Sequence, residues 1–248
     1  MSDVVGILAV RTALRTSVDQ ARCLYILKGR RDARVNELIG MAREQGVRFR
    51  TVEGPWFKRR VVDGEAHQGV LLELSETALA TEQEMLEALP EWTSPRTILV
   101  LDGVTDPRNL GACIRTANGA GVQAVMLPKR NSAPLNIAAL KAAQGGQEGV
   151  MVVAVTNLVR SLKKLADAGF WLVGTDDEAG GSYSECRYDK DLVMVLGSED
   201  KGLRRLTRER CDQMVRIPMY GSVESLNVSV AAGIVLFERR RQLAEQKA

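Results

Sequence analysis

RTILVLDGVTDPRNLGACIRTANGAGVQAVMLP, residues 96–128, is the stretch that decides the fold. It opens with a continuous apolar run, TILVLDGV (97–104), of the kind that fills a strand buried on both faces. A turn at Asp106-Pro107 comes next. NLGACIRTANGAG (109–121) then reads as a helix, and QAVMLP (123–128) as a second buried strand. Strand, helix and strand in this order make the βαβ unit of a parallel sheet.

The pattern continues towards the C-terminus. IAALKAAQGG (137–146) reads as a helix, MVVAV (151–155) as a strand and NLVRSLKKLADAG (157–169) as a helix. FWLVGTD (170–176) and DLVMVLG (191–197) are further strands. TRERCDQMVRIPM (207–219) predicts a short helix then a strand, and a helix from Ser225 to about Gln242 closes the series. Before residue 75 the elements are shorter. A helix falls within 4–16, strands at CLYILK (23–28), VRFRTV (47–52) and HQGVLLEL (67–74), and an amphipathic helix at 33–46 is closed by Gly46. The expectation is an α/β chain in three parts: a small domain over 1–74, an acidic linker over 75–95 that carries the first element of the next domain, and a parallel-sheet domain over 96–248.

At 248 residues, with 45% hydrophobic and 26% charged residues, the chain can bury a sizeable core and does not look disordered. No apolar run reaches the ~18 residues that span a bilayer. Asp3 stands where a signal peptide would carry positive charge. A cytoplasmic protein without a membrane partner is expected. Cys23, Cys113, Cys186 and Cys211 are widely spaced, and His67 is the single histidine, which argues against a metal site, a disulfide framework and most histidine-based triads. Chemistry is left to Arg, Glu, Asn, Ser or Lys.

Charge is uneven. Residues 1–73 hold 13 Lys+Arg against 9 Asp+Glu, while the remainder is close to neutral. The basic runs are KGRRDAR (28–34) and KRR (58–60). Such runs are most often solvated faces, but two in one small domain point to a polyanion. Lys28, Arg30, Arg31 and Arg34 are the candidate polyanion contacts. Tyr25, Phe49, Trp56 and Phe57 read as scattered or core residues, so no aromatic stacking surface is expected.

Ligands of open α/β sheets sit at the carboxyl ends of strands. Three such ends here are polar and glycine-bearing. In the first, Asn109 lies near a helix start, where it would serve as an ordinary N-cap. Arg115 further along is either a solvent-facing helix residue or, flanked by Ala112, Cys113, Ile114 and Ala117, packed inward on an anion. The second, VMVLGSEDKG (193–202), carries Gly197, Ser198, Glu199 and Gly202 but lacks the ending of a phosphate-binding loop. In the third, Ser225 and Asn227 bracket Leu226 at a helix start. One cap would suffice there, so the pair suggests a ligand. No GxGxxG succeeds the first strand, which leaves a dinucleotide site unsupported.

DGVTDPRNLGACIRTA, LGSEDKG and IPMYGSVESLNVSVAAGI, in that order, resemble the three motifs of the SpoU (TrmH-like) family of RNA 2'-O-ribose methyltransferases, members of the knotted SPOUT superfamily. The resemblance covers nearly the whole chain. ILKGR, HQGV and RLTRERCD bring it close to the bacterial type that methylates a guanosine of 23S rRNA. The resemblance implies a ribosomal-protein-like RNA-binding domain at the N-terminus, a C-terminal domain with a deep trefoil knot, and a homodimer built on that knot. It implies S-adenosylmethionine as cofactor and 23S rRNA as partner, with no metal. Carried across position by position, Asn109 and Arg115 match the first motif's catalytic pair, Glu199 the second motif's acidic residue, and Ser225 and Asn227 the third motif's polar pair. Gly197, Ile217 and Leu226 match positions whose backbones hold the cofactor, and Thr175 lines the same pocket. The chain departs from the family pattern at Asp200-Lys201 and at KAAQGGQE (141–148). Two alternatives stay open: a tRNA or another rRNA position as target, and a non-catalytic RNA-binding or assembly protein on the same fold.

Overall fold

A computed structural model describes residues 2–16, 18–30, 32–61, 66–75 and 79–246. The chain divides into two compact units, Met1–Thr77 and Ala78–Ala248.

The first unit runs β1 (Ser2–Val5), α1 (Ile7–Thr16), β2 (Ala21–Leu27), α2 (Ala33–Glu44), β3 (Arg48–Val52), α3 (Gly54–Arg60) and β4 (Val70–Leu74). The sheet order is β1-β4-β2-β3, with β2 and β3 parallel and β4 antiparallel to both of its neighbours. Val10 and Leu14 of α1, Val35 and Leu38 of α2, and Leu24 and Ile26 of β2 supply the buried core. Asp32 caps α2 by accepting from the Val35 amide. The short α3, GPWFKRR, went unread in the sequence, because two turns are too few for a periodic signal. Its Phe57 is buried, and the KRR run forms its last turn. The aromatic residues of this unit are not scattered, contrary to expectation. Tyr25 stacks on Trp56 with ring centroids 4.3 Å apart, Trp56 meets Phe57 edge-on at 5.5 Å, and Phe57 stacks on His67 at 4.8 Å. Phe49 alone stands apart, beneath the Arg43 guanidinium.

The second unit runs α4 (Glu82–Ala88), β5 (Thr97–Asp102), α5 (Pro107–Gly119), β6 (Ala124–Pro128), α6 (Ile137–Ala143), β7 (Met151–Val155), α7 (Leu158–Asp167), β8 (Trp171–Thr175), β9 (Gly181–Ser182), β10 (Leu192–Gly197), α8 (Arg205–Arg208), β11 (Gln213–Arg216) and α9 (Val228–Glu245). Most of the stretch expected to be a linker is folded into this unit. Thr81 and Glu84 form a reciprocal capping box at the start of α4, Ala80 bridges to Val153, and Met85 and Leu89 are buried against β5, β6 and β7 residues. The burial of those two apolar residues outweighs the acidic composition on which the linker reading rested.

Seven strands form one parallel sheet in the order β7-β6-β5-β10-β8-β11-β9. The chain lays down β5, β6 and β7 in one direction, begins the other side with β8, and returns to place β10 in the gap between β5 and β8. β11 is then added outside β8, and α9 comes back onto α5. This return brings four strands together at one end of the sheet: Gly197 ends β10 directly opposite Asp102 at the end of β5, and Thr175 ends β8 opposite Val215 of β11. Every residue of β5 is buried, as its unbroken apolar run foretold.

Two boundaries differ from the sequence reading for local reasons. β11 stops at Arg216 rather than Met219, where Pro218 has no amide to donate. α9 starts at Val228 rather than Ser225, because Asn227 is its cap and accepts from the Ser229 amide. Gln144, one of the departures from the family pattern, ends α6 in the left-handed conformation with φ 47°. At the amino ends of the central strands β5 and β10, opposite the cleft, Arg239 of α9 is 1% exposed. Its guanidinium donates to the carbonyls of Tyr188 (3.0 Å), Lys190 (2.8 Å) and Arg96 (2.9 Å).

Candidate active site

A cleft of about 400 Å3 opens where β8 and β10 end and α9 begins. This lies within the ~300–1,000 Å3 range of small-molecule sites. Thr175, Gly197, Ile217 and Leu226, the four residues expected to hold a cofactor, all line it, as do Glu199 and Ser225.

The segment after β10 folds back on itself. Ser198 and Gly202 exchange two backbone hydrogen bonds, 3.2 and 2.9 Å long. A Cβ on Gly197 would lie 2.1 Å from the Gly202 carbonyl carbon, so only glycine permits this approach. The turn is anchored from beneath by Asp102, whose carboxylate accepts the Arg204 amide at 3.1 Å and lies 3.5 Å from its guanidinium. Asp102 is 1% exposed and was not singled out in the sequence. The signal available was an aspartate closing an otherwise apolar strand, a poor resident of a buried sheet unless paired.

Three side chains from three distant segments meet at the cleft wall, where Glu199 lines the cleft and Asn109 and Asn227 reach it from beside the lining. The Glu199 carboxylate Oε1 accepts from Asn109 Nδ2 at 2.9 Å, from Asn227 Nδ2 at 2.6 Å and from the Val228 amide at 3.1 Å. Asn227 Nδ2 also donates to Asn109 Oδ1 at 3.0 Å. Asn109 is therefore not an N-cap. That place belongs to Asp106, which accepts the Arg108 amide, and this frees Asn109 in the first turn to reach across. Asn227 caps α9 with its oxygen and binds Glu199 with its nitrogen. Ser225 stands exposed on the cleft wall.

Arg115 does not join this hydrogen-bonded group. The inward packing considered for it is not found. Six residues beyond Asn109, it lies about 9 Å further along α5 and on a different face. It is exposed, outside the cleft lining, and has no ion pair among the described residues. Cys113 is no nucleophile, since burial, helped by the Glu199 charge, pushes its thiol up to about 12.

The residues present suit a cationic, partly apolar ligand. Leu203, Ile217, Met219 and Leu226 give the cleft apolar walls, while Asp177, Glu178 and Glu224 add carboxylates at its polar side. Asp176 is already paired with Arg208 at 2.5 Å. No group of His, Cys, Asp and Glu among the described residues could hold a metal ion.

Of the basic run in the first unit, Lys28, Arg30 and Arg34 are exposed. Lys28 is paired with Glu53 at 2.6 Å and Arg30 with Asp32 at 3.2 Å. Arg31 lies outside the described residues. No helix among the described residues is long and apolar enough to cross a membrane.

A parallel sheet with a late strand returned into its middle, and a cleft lined by the looped-back segment, is the α/β-knot architecture of the SPOUT methyltransferases. Residues 96–237 match the SpoU rRNA Methylase family, and residues 4–79 match the family described as RNA 2'-O ribose methyltransferase substrate binding. The chain belongs to the SpoU rRNA methylase family. It is 42% identical over 98% of its length to the 23S rRNA (guanosine-2'-O-)-methyltransferase RlmB of Pectobacterium atrosepticum, covering 99% of that protein. It is 43% identical over its whole length to RlmB of Pseudomonas syringae pv. tomato, covering 98%. The SpoU methyltransferase AviRb of Streptomyces viridochromogenes, solved with AdoMet, shares the fold with a TM-score of 0.63 at 21% identity, over 98% of this chain and 90% of that one.

Proposed function

We propose that the protein transfers a methyl group from S-adenosylmethionine to the 2'-hydroxyl of a guanosine ribose in 23S rRNA. The observation that carries this is the meeting of Asn109 and Asn227 on Glu199, which itself lines the cleft together with Thr175, Gly197, Ile217 and Leu226. The RlmB relatives, similar along essentially the full chain, support the choice of target.

Bound in the cleft, S-adenosylmethionine would supply an electrophilic methyl group on a sulfonium. The backbone around Gly197, Ile217 and Leu226 would hold its adenosine part, with Thr175 at the strand end. The carboxylates at the polar side of the cleft would favour its positive charge.

A ribose hydroxyl is a weak nucleophile, so the protein must align it and favour loss of its proton. Asn109, fixed by Glu199 and Asn227, has the donor and acceptor groups to orient the ribose. Ser225 on the cleft wall offers a further hydroxyl. Glu199 accepts three hydrogen bonds, which keeps both asparagine side chains in one arrangement. Arg115, exposed and without an ion pair among the described residues, is assigned to the RNA phosphate beside the target ribose. There a permanent cation stabilises the developing alkoxide without giving up its own proton, and the hydroxyl proton passes to the adjacent RNA phosphate oxygen.

The first unit is assigned to RNA binding through Lys28, Arg30, Arg31 and Arg34, and the second to cofactor binding and transfer. A cytoplasmic homodimer completes the proposal. Val230 and Phe237 of α9 are 49% and 52% exposed, an apolar face suited to a second copy.

The test is incubation of the purified protein with methyl-labelled S-adenosylmethionine and transcripts of 23S rRNA or tRNA, followed by alkaline hydrolysis. Label in alkali-resistant dinucleotides from 23S rRNA alone is expected. Label in tRNA would redirect the target, and cofactor binding without transfer to any RNA would favour an assembly factor.

A further inference from the structure

The first unit carries a second basic surface, adjoining the 28–34 run but built from other residues. Leu24 and Ile26 of β2 point into the core, so Tyr25 between them faces the other side of the sheet. Its parallel-register partner on the edge strand β3 is Arg50, and Arg48 lies two residues earlier on that same face. Trp56 of α3 lies over Tyr25, the planes inclined by 29°. The Arg60 guanidinium sits 5.2 Å from the Trp56 ring centre and 5.5 Å from that of Tyr25. Arg60 is fixed by Asp3 at 2.7 Å and Glu73 at 2.9 Å, and Glu73 also accepts the Tyr25 hydroxyl at 2.8 Å.

Among the described residues, this arrangement occupies the two carboxylates beside the rings. Asp3 and Glu73 neutralise Arg60 and order the ring pair. Arg48, Arg50, Lys58 and Arg59 are all exposed and have no ion pair among the described residues. The contrast with the 28–34 run is direct, since Lys28 and Arg30 there already hold carboxylate partners. The Lys28–Glu53 pair also joins that run to the start of α3, so the two surfaces are continuous.

We propose that this face binds a single-stranded segment of RNA. Arg48, Arg50, Lys58 and Arg59 take its phosphates, and an unstacked base rests against Trp56. An acidic protein would be served by the cations alone. A rigid aromatic pair set among unpaired cations is the platform that unpaired bases use. Arg60 is bound on both sides and orders the rings instead of contacting phosphate. The proposal rests on the reading of the first unit as RNA-binding, and it assigns that binding to a surface the 28–34 run does not include.

The test uses the full chain with Trp92→Phe and Trp171→Phe, which leaves Trp56 as the only indole. Titration with a single-stranded RNA oligonucleotide should quench Trp56 emission saturably. The combined Arg48→Gln, Arg50→Gln, Lys58→Gln and Arg59→Gln variant should lower the log–log salt slope of binding by about 3, at ~0.7 for each lost phosphate contact. Trp56→Leu should weaken binding about tenfold. Quenching in the unmutated ring pair keeps the test valid even if Trp56→Leu misfolds. RNA binding with unchanged Trp56 emission and an unchanged slope in the fourfold variant, but a lower slope in Arg34→Gln, would overturn the proposal and leave the RNA reading standing. No RNA binding at all would overturn both.

Discussion

Replacing Arg239 by Met should cost about 3–5 kcal/mol of stability, the loss of three hydrogen bonds from a charged donor less the desolvation that the guanidinium no longer incurs. The guanidinium is 1% exposed and touches three carbonyls, of Arg96, Tyr188 and Lys190, without a carboxylate. Burial pulls its proton affinity down to about 10, so desolvation opposes folding and the carbonyl bonds must offset it. Each hydrogen bond from a charged donor contributes about 1.5–3 kcal/mol, and each carbonyl stranded by the substitution costs about 1–3 kcal/mol. Met fills most of the vacated volume, so the loss is polar and leaves little cavity. For a unit of this size the melting point should fall by roughly 6–20 °C. Urea midpoints and calorimetry on the full chain measure it. Since Arg239 lies far from the cleft, cofactor affinity well below the melting point should not change. A loss under about 1 kcal/mol would refute the reasoning, because the carbonyl bonds would then do no more than repay desolvation.

Gly197→Ala should abolish cofactor binding by calorimetry, since the new Cβ would fall 2.1 Å from the Gly202 carbonyl carbon, and the displaced turn should cost about 1–3 kcal/mol of stability. Arg115→Ala should abolish methyl transfer while leaving cofactor affinity intact, because the residue stands outside the cleft lining; affinity falling in step with activity would show the phosphate assignment wrong. At Asp191, burial works to raise the carboxyl, but hydrogen bonds from the Arg96 side chain and amide prevail and hold it below its ordinary value of 3.8. A lowered folded-state value stabilises above that ordinary value and is lost as pH falls through the lower one. Asp191→Asn should therefore destabilise at neutral pH and flatten the decline of melting temperature below about pH 4.

Much of this was legible because parallel sheets write themselves in apolar runs. TILVLDGV and VMVLG predicted β5 and β10, and the glycine at the end of β10 marked the turn beyond it. What the runs cannot give is strand order. Nothing local in DLVMVLG says that it enters between β5 and β8, since that is fixed by contacts far apart in sequence. The same holds for the site. Asn109, Glu199 and Asn227 were each readable as polar residues at strand ends, yet their shared hydrogen bonds arise only once β10 has returned. The aromatic stack of the first unit was missed for a related reason. Tyr25, Trp56 and His67 lie on three separate segments, and α3, which brings Trp56 over the sheet, has no periodicity to announce it. Asp102 was missed because its partner, Arg204, is a hundred residues away.

The most direct test of the central claim is a map of 2'-O-methylated nucleotides in 23S rRNA from cells with and without the gene, and after its return as wild type or as Glu199→Gln. The expected result is one guanosine mark that disappears on deletion, returns with the wild-type gene and returns weakly or not at all with the variant. An unchanged 23S rRNA map on deletion, or a lost mark confined to tRNA, would contradict it.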